Sequence, residues 1–251
     1  MTGPKHTTCS TNSRFAAEMG AVIFLLFLTI VNYSCREAGS KGERLAGPGA
    51  VSAHLKFDDL IIKGKLLILD GDLLTRSDDD FESLSLQNFS QKDRTYSHSG
   101  IVFKEDNTWF VYHCMAGPEN PGASIEREPF NSFVNPVKKT GFGIFRYRIS
   151  PSEISDLHNL YKKYYAEKLP FDKSFNLKND DSMYCSEIIY KSLKKVTNNR
   201  VILPTSSLTN FKPKTTSGHF KNAFFKKFEY VGIDDLYMNA FCIAIFSVQY
   251  K

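Results

Sequence analysis

The chain has 251 residues, a net charge of +5, and is 42% hydrophobic and 24% charged. That is a globular composition, large enough for one medium domain with appendages and too apolar for a disordered chain. The positive excess is small and scattered, which argues against a nucleic-acid partner. The five cysteines contain no Cys-x-x-Cys pair, which argues against a zinc knuckle or a disulfide framework.

Residues 20–31 (GAVIFLLFLTIV) form an apolar run with the length of a secretory signal core, preceded by Lys5 and Arg14. The run is too short to span a bilayer comfortably as a helix. Ser34-Cys35 follows, a small residue before a cysteine, as at a lipoprotein cleavage site. Residues 1–34 therefore read as a signal peptide and Cys35 as a lipidated first residue, anchoring the protein in a bacterial cell envelope on the periplasmic or exterior side. Residues 35–54 (Gly-rich and polar up to 50) read as a flexible tether, and residues 55–251 as the folded domain.

Within the domain, two apolar segments flank Asp70-Gly71-Asp72, which predicts a turn followed by a strand. Asp78 to Asp80 can cap a short helix from Phe81. Residues 99–103 and 109–115 are rich in β-branched and aromatic side chains around a turn at Asp106-Asn107, a β-hairpin pattern. Residues 142–149 read as a strand ending at Ser150-Pro151-Ser152-Glu153, a capping box with proline at the first helical position. The helix then runs to about Lys168, with Ile154, Leu157, Leu160, Tyr161 and Tyr164 on one face. A second helix is expected over residues 182–196, capped by Asp181 or Ser182, and a late strand over 241–248. Strands and helices mix without a βαβ rhythm, so the class is α+β, an antiparallel sheet packed against helices.

A turn centred on Asp106-Asn107 sets His113 opposite Gly100 and His98 opposite Met115. The two histidines then share one face as diagonal neighbours, about 7–8 Å apart at Cα, and one imidazole can fix the tautomer of the other. Cys185 falls in the first turn of the second helix, where free amides and the helix dipole favour a thiolate and lower its pKa. Its own amide can serve as an oxyanion donor. Glu187 points away from the thiol, toward a loop or a basic partner. Asp72 supports the histidine strand by hydrogen bonding, and Cys114 and Cys242 are core residues.

Gly71-Asp72-Leu73-Leu74, Ser97-His98-Ser99-Gly100-Ile101-Val102 and Tyr112-His113 resemble the GDL…HVGI…H pattern of NlpC-type cysteine peptidases. No cysteine precedes this block within the domain; Tyr184-Cys185-Ser186-Glu187 follows it. That order is similar to the circularly permuted, YiiX-like branch of the papain-fold hydrolases. The resemblance implies Cys185 as nucleophile, His98 as general base and acid, and His113 as the polar third member, where permuted relatives often carry a carboxylate. It implies neither metal nor organic cofactor.

The expected activity is that of an amidase or peptidase working through a Cys185 acyl-enzyme, with peptidoglycan stem peptides as the leading substrate at an envelope location. Two alternatives stand beside it: a lipid acyltransferase or thioesterase of the lecithin:retinol-acyltransferase-like kind, and a surface binding module with a decayed site.

Overall fold

The computed structural model describes residues 48–78, 86–117, 120–211 and 225–250. The expected signal peptide, Cys35 and the expected start of the short helix near Phe81 lie outside them. The first element, α1 (Pro48–Leu67), begins inside the stretch read as tether. Its buried residues Ile61 and Gly64, with Ile68 just past its end, are set down on Phe142, and a Cβ at Gly64 would come within 2.8 Å of that ring. The sequence concealed this helix because its first residues are the small ones of the presumed tether.

Six strands follow in one antiparallel sheet: β1 (Leu73–Asp78), β2 (His98–Glu105), β3 (Thr108–Gly117), β4 (Asn120–Pro129), β5 (Lys139–Tyr147) and β8 (Cys242–Gln249). The spatial order is β4-β3-β2-β1-β5-β8. The class is therefore α+β, as expected. The β2–β3 hairpin turns on Asp106 and Asn107, both with positive φ (46° and 64°), the backbone that a two-residue hairpin loop needs to match strand twist. Its register pairs Ile101 with Tyr112 and Val102 with Val111, as read from the sequence.

Because successive residues point to opposite faces of a strand, the sheet carries two cores. Leu73, Ile101, Phe103, Tyr112 and Cys114 form the first, covered by α3 (Pro151–Ala166) and α4 (Cys185–Val196) through Leu157, Tyr161, Ile188, Ile189 and Leu193. Leu74, Val102, Val111, Phe142 and Ile144 form the second, covered by α1 and the short α2 (Phe130–Phe133). Helix α3 starts with the expected box: Ser150 Oγ accepts from Glu153 N (3.3 Å) and Glu153 Oε2 from Ser150 N (2.7 Å).

Helix α4 starts at Cys185, later than expected, and neither Asp181 nor Ser182 caps it. Their amides are turned onto Asn179 Oδ1, while the Met183 amide donates to Pro170 O. Glu187 supplies the cap instead, its Oε2 accepting the Tyr184 amide at 3.2 Å. A two-stranded ribbon, β6 (Ser206–Phe211) and β7 (Phe225–Tyr230), leads into α5 (Ile233–Tyr237). Val231, just past this ribbon, pins the start of α4. Its amide donates to Tyr184 Oη (2.9 Å), and its carbonyl accepts from Ser186 Oγ (2.7 Å).

Candidate active site

The hairpin register sets His98, Gly100 and Val102 of β2 beside Val111, His113 and Met115 of β3 on the second face. His98 Nε2 lies 2.9 Å from His113 Nδ1, with the rings nearly perpendicular (86°). Phe133 of α2 closes over both, with ring centroids 5.9 and 5.3 Å away. Gly100 makes the room: a Cβ there would stand 2.6 Å from Val111 Cγ1 and 3.1 Å from His113 Cβ. The juxtaposition of the two histidines expected from the turn is present.

Around the rings lies a ring of charge that the sequence did not disclose. His113 Nε2 lies 3.1 Å from Glu128 Oε1 of β4, at an angle short of ideal for a hydrogen bond. The same oxygen accepts from Arg76 Nη1 of β1 at 2.8 Å. Arg76 also stacks over Phe133 (4.5 Å to the centroid). Lys139 of β5 pairs with Asp78 at 3.2 Å. Burial, then the positive charges of Arg76, His113 and Lys139, hold His98 well below the ordinary imidazole range. Burial and Arg76 also lower His113, and Glu128 opposes them only in part. Burial acts to raise the Glu128 carboxyl, but His113 and Arg76 outweigh it, and its pKa lies below the ordinary value. At neutral pH the site therefore holds two neutral imidazoles and a carboxylate. No local pattern marks these residues: β4 (NPGASIEREP) is largely polar, and Lys139 is the first residue of β5. Only the cross-strand pairing brings them together.

Cys185 is the first residue of α4, is buried, and is a free thiol. Its pKa is pushed up to about 11 by burial, against the opposing effects of the Ser186 amide, the Ser99 hydroxyl, and the Ser99 and Cys185 amides. This corrects the lowered pKa expected from position at a helix start. The amides are there, but desolvation of a thiolate costs more than they return.

Ser99 locates the sulfur. Val102 N donates across to Asp72 O, just before β1, so by strand alternation Ser99 and Ile101 aim their amides at the β3 side. The β2–β3 ladder reaches only as far as Ile101–Tyr112. Beyond it, the Ser99 amide is turned toward Cys185, whose thiol pKa it acts to lower. The thiol thus occupies the mouth of a fork between β2 and β3, one residue along β2 from His98. The Ser99 side chain belongs to the first face and the imidazoles to the second. The groups that act to lower the thiol's pKa are Ser99 and the amides of the helix start, and neither imidazole is hydrogen-bonded to the sulfur.

The remaining expected residues are structural. Glu187 points from the thiol to Lys191 (2.8 Å), and burial raises it to about 7. Asp72 serves the histidine strand through its backbone carbonyl, while its carboxylate grips Arg146 of β5 at 2.7 Å. Tyr184 anchors α4 through Val231. Cys114 and Cys242 lie in the first core, and burial raises both thiols.

No protein-family model and no curated protein matches the sequence. Among solved structures, the crystal structure of the metalloprotein YiiX from Escherichia coli O157:H7 (DUF1105) superimposes with a TM-score of 0.58, covering 73% of this chain and 99% of that one at 18% identity. The chain has the permuted papain-type fold of YiiX. The α+β architecture and the order of its motifs, histidine strand before cysteine helix, agree with that fold.

Proposed function

We propose that the chain is a cysteine-dependent acyl hydrolase of the cell envelope, with Cys185 as nucleophile and His98 as base. The observation that carries this reading is the buried thiol at the start of α4, acted on by the amides of Ser186, Ser99 and Cys185, with Ser99 the next residue along β2 from the paired imidazole of His98. The YiiX-type fold supports it. The thiol rests protonated and the imidazole neutral, the pair of states from which a base can take the sulfur's proton. His98 and Cys185 must close to hydrogen-bond reach for that transfer, and such contacts tighten when substrate binds. The thiolate then attacks the carbonyl and the amides receive the developing oxyanion. His98 returns the proton to the leaving group and later activates water. Peptidoglycan stem-peptide amides are the first substrate class to test, on the expectation of a lipid anchor at Cys35.

YiiX is described as a metalloprotein. The residues of this site do not fit a metal. The facing nitrogens of His98 and His113 are engaged with each other, and among the described residues no three His, Cys, Asp or Glu side chains are grouped to hold a metal ion.

One observation favours a second reading, the decayed binding module: a thiol raised to about 11 with no imidazole bonded to it. Comparing intact protein and Cys185→Ala on wall fragments and, in parallel, on phospholipids decides among them. The proposal expects turnover of stem-peptide amides, reduced at least about 10³-fold in the variant with an unchanged melting curve. Turnover of phospholipid esters alone would move the assignment to lipid chemistry. Binding without turnover in either protein, with Cys185 slow to alkylate at neutral pH, would establish the binding module.

A further inference from the structure

We propose that Glu128 is a positioning residue that sets the protons on the ring pair, leaving His98 Nδ1 as the basic atom of the site. The role in hydrolysis rests on the function proposed above; the proton arrangement does not. Glu128 Oε1 receives Arg76 Nη1 at 2.8 Å and faces His113 Nε2 at 3.1 Å. A carboxylate can only accept. Two lone pairs at that distance repel, so His113 Nε2 carries a hydrogen. In a neutral ring Nδ1 is then bare. The 2.9 Å contact between the rings therefore requires a donor on the other side, and His98 Nε2 supplies it. His98, neutral as well, is left with a bare Nδ1. By covalent geometry that is the ring nitrogen nearer the backbone of β2, the strand whose next residue, Ser99, acts on the Cys185 thiol.

The arrangement is also a relay. When Nδ1 takes the thiol proton, the Nε2 hydrogen of His98 can move to His113 Nδ1. The net positive charge then sits on His113, beside the Glu128 carboxylate. One proton enters the pair and none is lost. Without Glu128 that charge would face Arg76 of β1 and Lys139 of β5, both unfavourable, with Asp78 of β1 already paired to Lys139. The third-member role of His113 is thus completed by a carboxylate on β4 that neither the spacing nor the motif of the sequence marks.

Two-bond proton–nitrogen correlation spectra of the intact chain, labelled with ¹⁵N-histidine, read the tautomers directly. At about pH 7.5, where an unperturbed imidazole is already neutral, both rings are expected to carry hydrogen on Nε2 and to show a bare Nδ1. Glu128→Asp keeps that pattern. Glu128→Gln, whose amide can donate, loses it, and it lowers kcat about 10²-fold with KM little changed, Glu128→Asp restoring most of the rate. A hydrogen on His98 Nδ1 in the native protein, or an unaltered pattern in a folded Glu128→Gln, overturns the inference. Should the glutamine variant fail to fold, the native spectrum alone decides. If the spectra agree but Cys185→Ala and native protein are equally inactive, the hydrolase reading fails and the proton arrangement stands.

Discussion

The two faces of the sheet bury polar groups in opposite ways. On the first face Cys185 is surrounded by apolar neighbours, and dipoles, chiefly the amides of Ser186, Ser99 and Cys185, act to lower its pKa. On the second, Arg76, Asp78, Glu128 and Lys139 form ion pairs around two imidazoles. Burial disfavours charge on both, raising the thiol and lowering the rings. What differs is compensation. Dipoles fail to offset the cost of a thiolate, whereas the paired charges hold Glu128 ionised in a largely buried place. The thiol therefore rests as a thiol, and the paired imidazoles lie on the other, charged face of the sheet.

If the charged face depends on pairing, removing one partner should cost more than any change of similar size in the apolar one. Arg76→Met leaves Glu128 without its strongest donor and Asp78 with one cation fewer, and it opens the contact with Phe133. Loss of about 3 kcal/mol is expected, read from urea unfolding. The pKa values of both imidazoles should rise, because Arg76 is among the groups that lower them. A loss within about 0.5 kcal/mol, the range of ordinary surface substitutions, would mean that water does the pairing. Gly100→Ala probes the same face through space alone. Its Cβ would press on Val111 Cγ1 at 2.6 Å and the Tyr112 carbonyl at 2.8 Å. Overpacking of about 2 kcal/mol is expected, with the tautomer spectrum disturbed as His113 is pushed aside. A neutral Gly100→Ala would show that the fork can widen freely.

What could be read from the sequence was local. Asp106-Asn107 dictates a two-residue turn, and from that turn the register and the shared face of His98 and His113 follow. Ser150, Pro151 and Glu153 dictate where α3 begins. The misreadings are non-local. Glu128 meets His113 only because β4 pairs with β3, and Lys139 joins only because β5 pairs with β1. The stripe of α1 is recognisable only against Phe142. The position of Cys185 at a helix start was legible, but its ionisation was not. Burial comes from the whole first core, and no motif around Tyr184-Cys185-Ser186-Glu187 encodes it.

The pH dependence of stability separates the two faces most finely. His98 and His113 have folded pKa values below the ordinary 6.5. As pH falls through about 6.5, the unfolded chain takes up protons that the folded rings refuse. The unfolded state then binds more protons, so the rings' contribution to stability is full above that pH and declines below it. The decline approaches about 1.4 kcal/mol per pH unit for each ring until the folded pKa is reached. Glu187, on the first-face side in α4, acts in the contrary direction. Its folded pKa, raised from 4.5 to about 7, keeps a proton that the unfolded chain releases, so its contribution is full below about pH 4.5 and is lost as pH rises toward 7. Between about pH 5 and 6.5 the two effects compete, and two rings should prevail over one carboxyl, so stability rises with pH. Replacing both histidines with asparagine leaves Glu187 unopposed by the rings and should reverse the sign of that slope, while Glu187→Gln should steepen it. Urea midpoints at the two ends of the interval provide the measurement. A slope that the double replacement leaves unchanged would mean that the rings accept protons in the folded state, and that the charged face does not hold them neutral.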